Sequence, residues 1–384
     1  MAISHAAQIG GAGALAAAST NYLAPTMTMF SSSTTEANRS ITWREAGALV
    51  RLRAQVSANA ATTASTHVVR IAGSDSALTS SITALTTGEF IDSHSVTVSA
   101  GDAVAVKVVV GATSTLTMQS SAVNFTPTAT TKTVIPTSAT TSVAFTTASA
   151  TRYTATSGEC ALQATSANVV SPAKAAATFR NLFVYVSANT RTTTTFKFQE
   201  ATVDSATLSL SITASTTGYF EDTDSDSVAS GAGIRFATVT GTGTNSITFE
   251  QMGVWSDAAT ADWTYIASRS GTNGGTSAVS ATQFFPVCGR LNASGATQSS
   301  NEIAHPAGGL SNFEIWVNTN TRTTTTTFGI RNGTTNSSNI LVSVTTLSTG
   351  VFTDTDSDTT AANDKIVVYV ATGADSNSIS WVHV

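Results

Sequence analysis

One pattern, written three times along the chain, constrains the fold more than anything else in it. Residues 187–241 recur as 318–373 and, more weakly, as 57–111. The best-matched blocks are VSANTRTTTTF (186–196) against VNTNTRTTTTTF (317–328), and STTGYFEDTDSDS (215–227) against LSTGVFTDTDSDT (347–359). Upstream the same blocks read VSANAATTAST and LTTGEFIDSHS. Gly88, Gly218 and Gly350 keep step at separations of 130 and 132 residues, as do Gly111, Gly241 and Gly373. Solenoids and propellers repeat every ~20–50 residues, so a period this long means that each copy buries its own core. The chain is a tandem triplication of one domain.

Composition says what kind of domain. Only 11% of the 384 residues are charged, and Thr, Ser, Ala and Val dominate. Low charge with a β-branched excess favours sheet over disorder. A net charge of −5 without a basic run leaves little to neutralise a phosphate backbone, so no nucleic-acid partner is expected. Residues 9–18 are too short and too glycine-rich to span a bilayer, and no Lys or Arg precedes them as a secretory signal requires; no membrane partner is expected either.

Taken in order, residues 1–26 read as an N-terminal arm without Lys, Arg, Asp or Glu, either frayed or ordered against a neighbouring subunit. A first β-sandwich domain follows at 27–125, then a Thr- and Pro-containing linker or edge strand at 126–140, a second domain at 141–257 and a third at 258–384. The clearest strand is 103–110: Val104, Val106 and Val108 share one face and Lys107 takes the other. Counting back from the shared glycine puts Ile234, Phe236 and Thr238, then Ile366, Val368 and Val370, in the same core positions, with Arg235 and Tyr369 facing outward. Further strand pairs are 183–186 with 313–317, 194–198 with 325–330, 208–214 with 340–347, and 246–250 with 378–382. The one candidate helix is 171–177, with Pro172 at its first position. Trp255 and Trp263, close together, suggest packing between the second and third copies. Cys160 and Cys288 hold equivalent places in separate copies, which favours two buried thiols over a disulfide.

The expected fold class is therefore all-β: three tandem antiparallel β-sandwich domains of seven or eight strands. A jelly roll is the leading topology and an immunoglobulin-like sandwich the second. The motif T-G-x-F-x-D-T-x-S-D-[ST] stands at 217–227 and 349–359, and a GD or ND turn follows at Asn363 and Asp364, with Gly101 and Asp102 in the first copy. This combination resembles modules of tailed-bacteriophage virion proteins. The resemblance implies jelly-roll-like folds serving as capsid decoration, head-fibre or tail-associated proteins, with a homo-oligomer, a trimer above all, docked on the major capsid or tail protein at the virion surface. Copy one departs from the motif at Ser93 and His94, and copy two at Ala232 and Gly233, which bears on a shared site more than on a shared fold.

Candidate chemistry is sparse. Asp222, Asp224 and Asp226, repeated as Asp354, Asp356 and Asp358, have the alternate spacing of calcium loops but lack the EF-hand glycine and closing glutamate, so a solvated turn is favoured over a calcium site. No other cofactor is expected. The Thr runs 192–195 and 323–327 divide between two strand faces, which leaves little for an ice- or glycan-binding surface. Arg191 and Arg322 open these runs as surface or turn arginines; Ala61 stands in copy one. His5, His67, His94, His305 and His383 share no repeat position, and Glu200 and Glu250 are lone carboxylates where glycosidase chemistry needs a pair. No catalytic residues are assigned, and an enzyme is not expected. The sequons at Asn124 and Asn332 fit chance in so Thr-rich a chain. A bacterial cell-surface adhesin or carbohydrate-binding array is the alternative to a virion protein.

Overall fold

The computed structural model describes residues 5–26, 32–129, 134–156, 158–159, 162–173, 175–243, 245–258, 268–269, 275–277, 281–285, 287, 289–290, 298, 302–305, 307–361 and 364–383. Cys160, Cys288, Trp263 and Asn363 lie outside them.

Among the described residues each copy is a sandwich built on eight main antiparallel strands, with two- and three-residue strands paired beside them. In domain 1 the strands are His5–Leu15, Thr20–Leu23, Gly47–Asn59, Ser65–Ile71, Ser74–Ile82, Gly88–Val98, Ala103–Val109 and Leu116–Pro127. One sheet runs first–eighth–third–sixth and the other second–seventh–fourth–fifth. Domain 2 repeats both orders with Val134–Phe145, Thr151–Thr154, Ala177–Asn189, Thr193–Glu200, Val203–Thr213, Gly218–Val228, Gly233–Thr240 and Ile247–Ala258. Domain 3 does so with Thr282–Phe285, Gly308–Asn320, Thr326–Asn332, Thr335–Val344, Gly350–Thr360, Asp364–Thr372 and Ile379–His383 as its second to eighth strands, its first strand being split into Ser268–Arg269 and Gly275–Ser277. Two sheets whose main strands interleave in these orders are a jelly roll.

By contact, residues 1–9 and 13–265 fall in one compact unit and residues 10–12 and 266–384 in the other. The supposed arm is part of domain 1's own sandwich: His5–Leu15 and Thr20–Leu23 are its first two strands, and Leu15 and Leu23 are buried in its core. The segment 126–140, read as a linker or an edge strand, is strand at both ends. Pro127 ends the eighth strand of domain 1, paired with Gly47, and Val134 opens the first strand of domain 2, paired with Asp257.

The repeat alignment holds residue by residue. Phe90, Phe220 and Phe352 pair with Ala54, Val184 and Ile315, and Gly88, Gly218 and Gly350 with Val56, Val186 and Val317. Those three glycines all have φ of 115–116° with open space where a Cβ would stand, so the turn's left-handed backbone requires them. Gly111 is required for a different reason, since a Cβ there would lie 2.1 Å from the Thr63 carbonyl oxygen.

The seventh strands bury the expected faces: Val104, Val106 and Val108, then Ile234, Phe236 and Thr238, then Ile366, Val368 and Val370 are at most 3% exposed. Each fully buried large apolar side chain contributes ~1.5–3 kcal/mol. In domain 2 the Phe196 and Phe249 rings meet edge to face at 5.3 Å, and in domain 3 Trp381 receives Phe285 at 5.1 Å and Phe328 at 5.0 Å.

The opposite face of the same strand corrects the sequence reading. Arg235 and Tyr369 point away from the core, yet they are 3% and 5% exposed. In domain 2 the connection after the second strand folds back along it, pairing Tyr153 with Gln163 and laying a 3-10 turn, Ser166–Val169, beside it. Arg235 is enclosed there, its Nε donating to Gln199 Oε1 at 2.7 Å and its guanidinium 5.6 Å from the Tyr153 ring centre. In domain 3 Tyr369 packs with Phe284, Val367 and Ala371. Residues 171–177 are no helix. Ser171–Pro172 pairs with Ile234 and Gly233, Ala173 exchanges backbone hydrogen bonds with Ala232 and Gly231, and Ala177 opens the third strand.

Candidate functional site

Several of the polar residues singled out by sequence hold the sandwiches together. The aspartates show this most clearly. Opposite each third strand's bulge, where Arg51, Asn181 and Asn312 take φ of 54–57°, the sixth strand places Asp92, Asp222 and Asp354. One carboxylate oxygen accepts the N–H two residues on: His94 at 3.1 Å, Asp224 at 3.0 Å and Asp356 at 2.9 Å. The other accepts an N–H of the fifth strand, in the facing sheet: Thr79 at 2.5 Å, Ser209 at 2.8 Å and Leu341 at 2.7 Å. This carboxylate joins the two sheets at their open side in all three domains. Burial raises the Asp92 pKa, but the backbone and imidazole of His94 and the Thr79 N–H together hold it below the usual carboxylate value.

The rest of each run goes elsewhere. Asp224 and Asp356 are exposed, and Asp226 and Asp358 each accept the N–H of the following residue at 2.9 and 2.8 Å. Alternate side chains of a strand do not converge on one ion, and among the described residues no cluster of His, Cys, Asp or Glu is placed to hold a metal. The Asp-x-Asp-x-Asp run as a whole does not mark the clamp. The signal was that the first aspartate alone is shared by all three copies.

The two arginines are the second correction. Arg191 and Arg322 are 2% and 0% exposed, not at the surface. Arg191 donates to the carbonyls of Phe145 at 3.2 Å, Thr147 at 2.6 Å, Gly241 at 3.4 Å and Gly243 at 3.3 Å. Arg322 donates to those of Asn377 at 2.8 Å and Gly373 at 2.5 Å. A guanidinium has five donors in a fixed fork, so it can gather loop carbonyls that no backbone amide reaches. Two residues earlier, the side-chain amide nitrogens of Asn59, Asn189 and Asn320 each donate to two carbonyls of the loop before the shared Thr-Gly, at 2.8–3.2 Å. The Asn-x-Arg spacing common to copies two and three was the available signal.

The Thr runs alternate as expected of strands: Thr194 and Thr326 are buried while Thr193, Thr323 and Thr325 are exposed. Thr323 binds the Asp375 carboxylate through its N–H and hydroxyl. Asn124 is 4% exposed and Asn332 donates to Asp364 at 2.6 Å, so neither sequon asparagine stands free.

Trp255 does mark a junction, but with domain 1. It meets Trp43 edge to face at 5.3 Å, and together with Phe183 it belongs to the domain 1 core cluster. Around it the connection between the second and third strands of domain 1 lies on the outer face of domain 2's first sheet. Arg39 pairs with Glu250 at 3.1 Å, Glu45 with Arg180 at 3.4 Å, and Arg44 with Glu221. Tyr185 donates to Asn38 Oδ1 at 2.6 Å, and Gln251 to the Asn38 carbonyl at 2.7 Å. Glu250 is thus an ion-pair partner at an interface, and Glu200 accepts the Ala229 N–H at 3.4 Å.

The histidines are equally dispersed. His67 is buried in the domain 1 core with Nε2 2.9 Å from Ser121 Oγ, His94 lies beside Asp92, and His305 Nδ1 is 3.0 Å from Thr360 Oγ1. The side chains of His5 and His383 lie outside the described residues. No helix among the described residues is long and apolar enough to cross a membrane.

No known protein family matches the chain, and no curated protein does. Among solved structures, that of infectious bursal disease virus Gx strain shares 6% identity over 99% of this chain and 81% of that one, at a TM-score of 0.23. An archaeal virus structure titled for its triple jelly roll fold and turret assembly shares 14% over 97% and 90%, at 0.21. The VP2 subviral particle of infectious bursal disease virus shares 6% over 100% and 81%, at 0.19. Likeness of this degree carries no argument. The fold stands on the strand order alone.

Proposed function

We propose that this chain is a non-enzymatic structural protein of a bacteriophage virion, decorating or stabilising the capsid or forming a head or tail fibre. The observation that supports this best is the jelly roll repeated three times, with its polar groups committed to holding sheets, loops and the domain 1–domain 2 junction together. A domain whose charged groups are used in this way is built to present surface rather than to turn over a substrate. The phage-like motif at 217–227 and 349–359 supports the source, and the sparse charge, 11% of residues, suits a surface covered by neighbours. On this reading the protein works as a homo-oligomer on a major capsid or tail protein, a trimer being the state that the resemblance favours.

The test is reconstitution. Particles assembled without this protein should bind the purified full chain saturably and cosediment with it. Failure to bind capsids or tails, together with binding to a defined polysaccharide, would replace this reading with the adhesin one. Deleting residues 1–26 is not a clean probe of docking, because it removes two strands of domain 1.

A further inference from the structure

Among the described residues every jelly roll leaves two strands open on the same side, the fifth in one sheet and the sixth in the other. An open strand offers unpaired N–H and C=O groups to any passing strand, and proteins commonly guard such edges with charge. The sixth strands of domains 2 and 3 are guarded: beyond the clamp residues they carry Asp224 and Asp226, and Asp356 and Asp358. The sixth strand of domain 1, Gly88–Val98, has His94 and Val96 at those positions. Of its two carboxylates, Glu89 is partly buried and Asp92 is 7% exposed and held by Thr79 and His94. Ile91, where the other copies have Glu221 and Thr353, is 50% exposed, and Ser93, Ser95 and Thr97 are exposed too.

We propose that this edge is an interface between two copies of the chain, pairing Gly88–Val98 antiparallel with the same strand of a second copy. The occupant follows from the residue order. Ser93 is the middle residue of the strand, and a two-fold axis through it sets each Asp92 opposite the other copy's His94, Phe90 opposite Val96 and Ile91 opposite Ser95. The same operation about Thr223 in domain 2 sets Asp222 against Asp224 and Phe220 against Asp226. About Thr355 in domain 3 it sets Asp354 against Asp356 and Phe352 against Asp358. Like charges directly opposite are destabilising and opposite or hydrogen-bonding partners are favourable, so self-pairing is disfavoured in two copies and permitted in the first. A two-fold contact joins chains in pairs, separate from any three-fold contact, and it holds whether or not the chain is a virion component.

Sedimentation equilibrium of the full chain tests this. The wild type should show a reversible step in which mass doubles, with concentration-dependent amide protection across residues 88–98. His94→Asp restores the run that domains 2 and 3 fold with, and should weaken the step by about tenfold through two symmetry-related Asp–Asp pairs. Ser93→Lys with Ser95→Lys, at exposed positions, should abolish it with an unchanged melting temperature. A wild-type mass that never doubles at up to millimolar concentration would overturn the proposal. So would doubling that both variants leave intact, or protection of 88–98 that appears only on adding capsids.

Discussion

His67→Phe should remove a specific acid sensitivity from domain 1. His67 is fully buried on the strand Ser65–Ile71, with Nε2 bonded to Ser121 and Nδ1 without a partner. Phe196 and Phe328 fill the same core position, as shown by their register: His67 pairs with Val108, Phe196 with Thr238 and Phe328 with Val370. Burial pushes the imidazole down to about 3, whereas in the unfolded chain it titrates near its ordinary value of about 6.5. Between those values the unfolded state binds a proton that the native state refuses, so stability rises with pH and is lost as pH falls below about 6.5. The loss is about 1.4 kcal/mol per pH unit, or roughly 2 kcal/mol at pH 5. For a cooperative unit of about 150–250 residues that is a fall of about 4–8 °C in melting temperature. At pH 7.5 the variant gains apolar burial but leaves the Ser121 hydroxyl without its partner, a loss of ~1 kcal/mol, so little net change is expected there. Calorimetry of the full chain at pH 7.5 and pH 5, above the range where carboxylates titrate, reads the difference. If wild type and His67→Phe lose the same number of degrees, the buried neutral imidazole is not what sets the response.

Three further expectations follow from the same contacts. Asp222→Ala or Asp354→Ala leaves two N–H groups without their acceptor and should cost about 1–3 kcal/mol in urea denaturation, whereas Asp224→Ala or Asp356→Ala, at exposed positions, should change stability by less than ~0.5 kcal/mol. Arg322→Met should cost about 2–4 kcal/mol by stranding the Asn377 and Gly373 carbonyls, and Arg322→Lys should recover only part of this because one ammonium cannot reach both loops in the same geometry. The melting temperature in EDTA should match that in millimolar calcium, and a large calcium-dependent rise abolished by Asp354→Ala with Asp356→Ala would contradict the assignment of these carboxylates to backbone hydrogen bonds.

How much could be read from the sequence depended on whether three copies or one carried the signal. The seventh strand and the Thr-Gly-x-Phe turn were legible because period and phase agreed across copies, and Phe90, Phe220 and Phe352 occupy one position in register. Arg235 was misplaced because strand alternation tells which face a residue is on, not whether a later loop covers that face; the Tyr153–Gln163 return does so. Arg191 and Arg322 look like turn residues until the loops whose carbonyls they collect are brought together from 44–55 positions away. The first strand of domain 1 escaped notice because an uncharged Ala- and Gly-rich segment lacks the alternation that marks a half-buried strand. Trp255 was rightly placed at a junction, but its partner Trp43 lies in the preceding copy, where nothing in the local sequence points.

The proposed role as a virion protein is tested most directly by quantitative mass spectrometry of gradient-purified virus particles from a culture that produces this chain. The protein should be present in a fixed ratio to the major capsid protein, retained through repeated banding. Its absence from banded particles, with recovery instead from the bacterial cell surface, would contradict the claim.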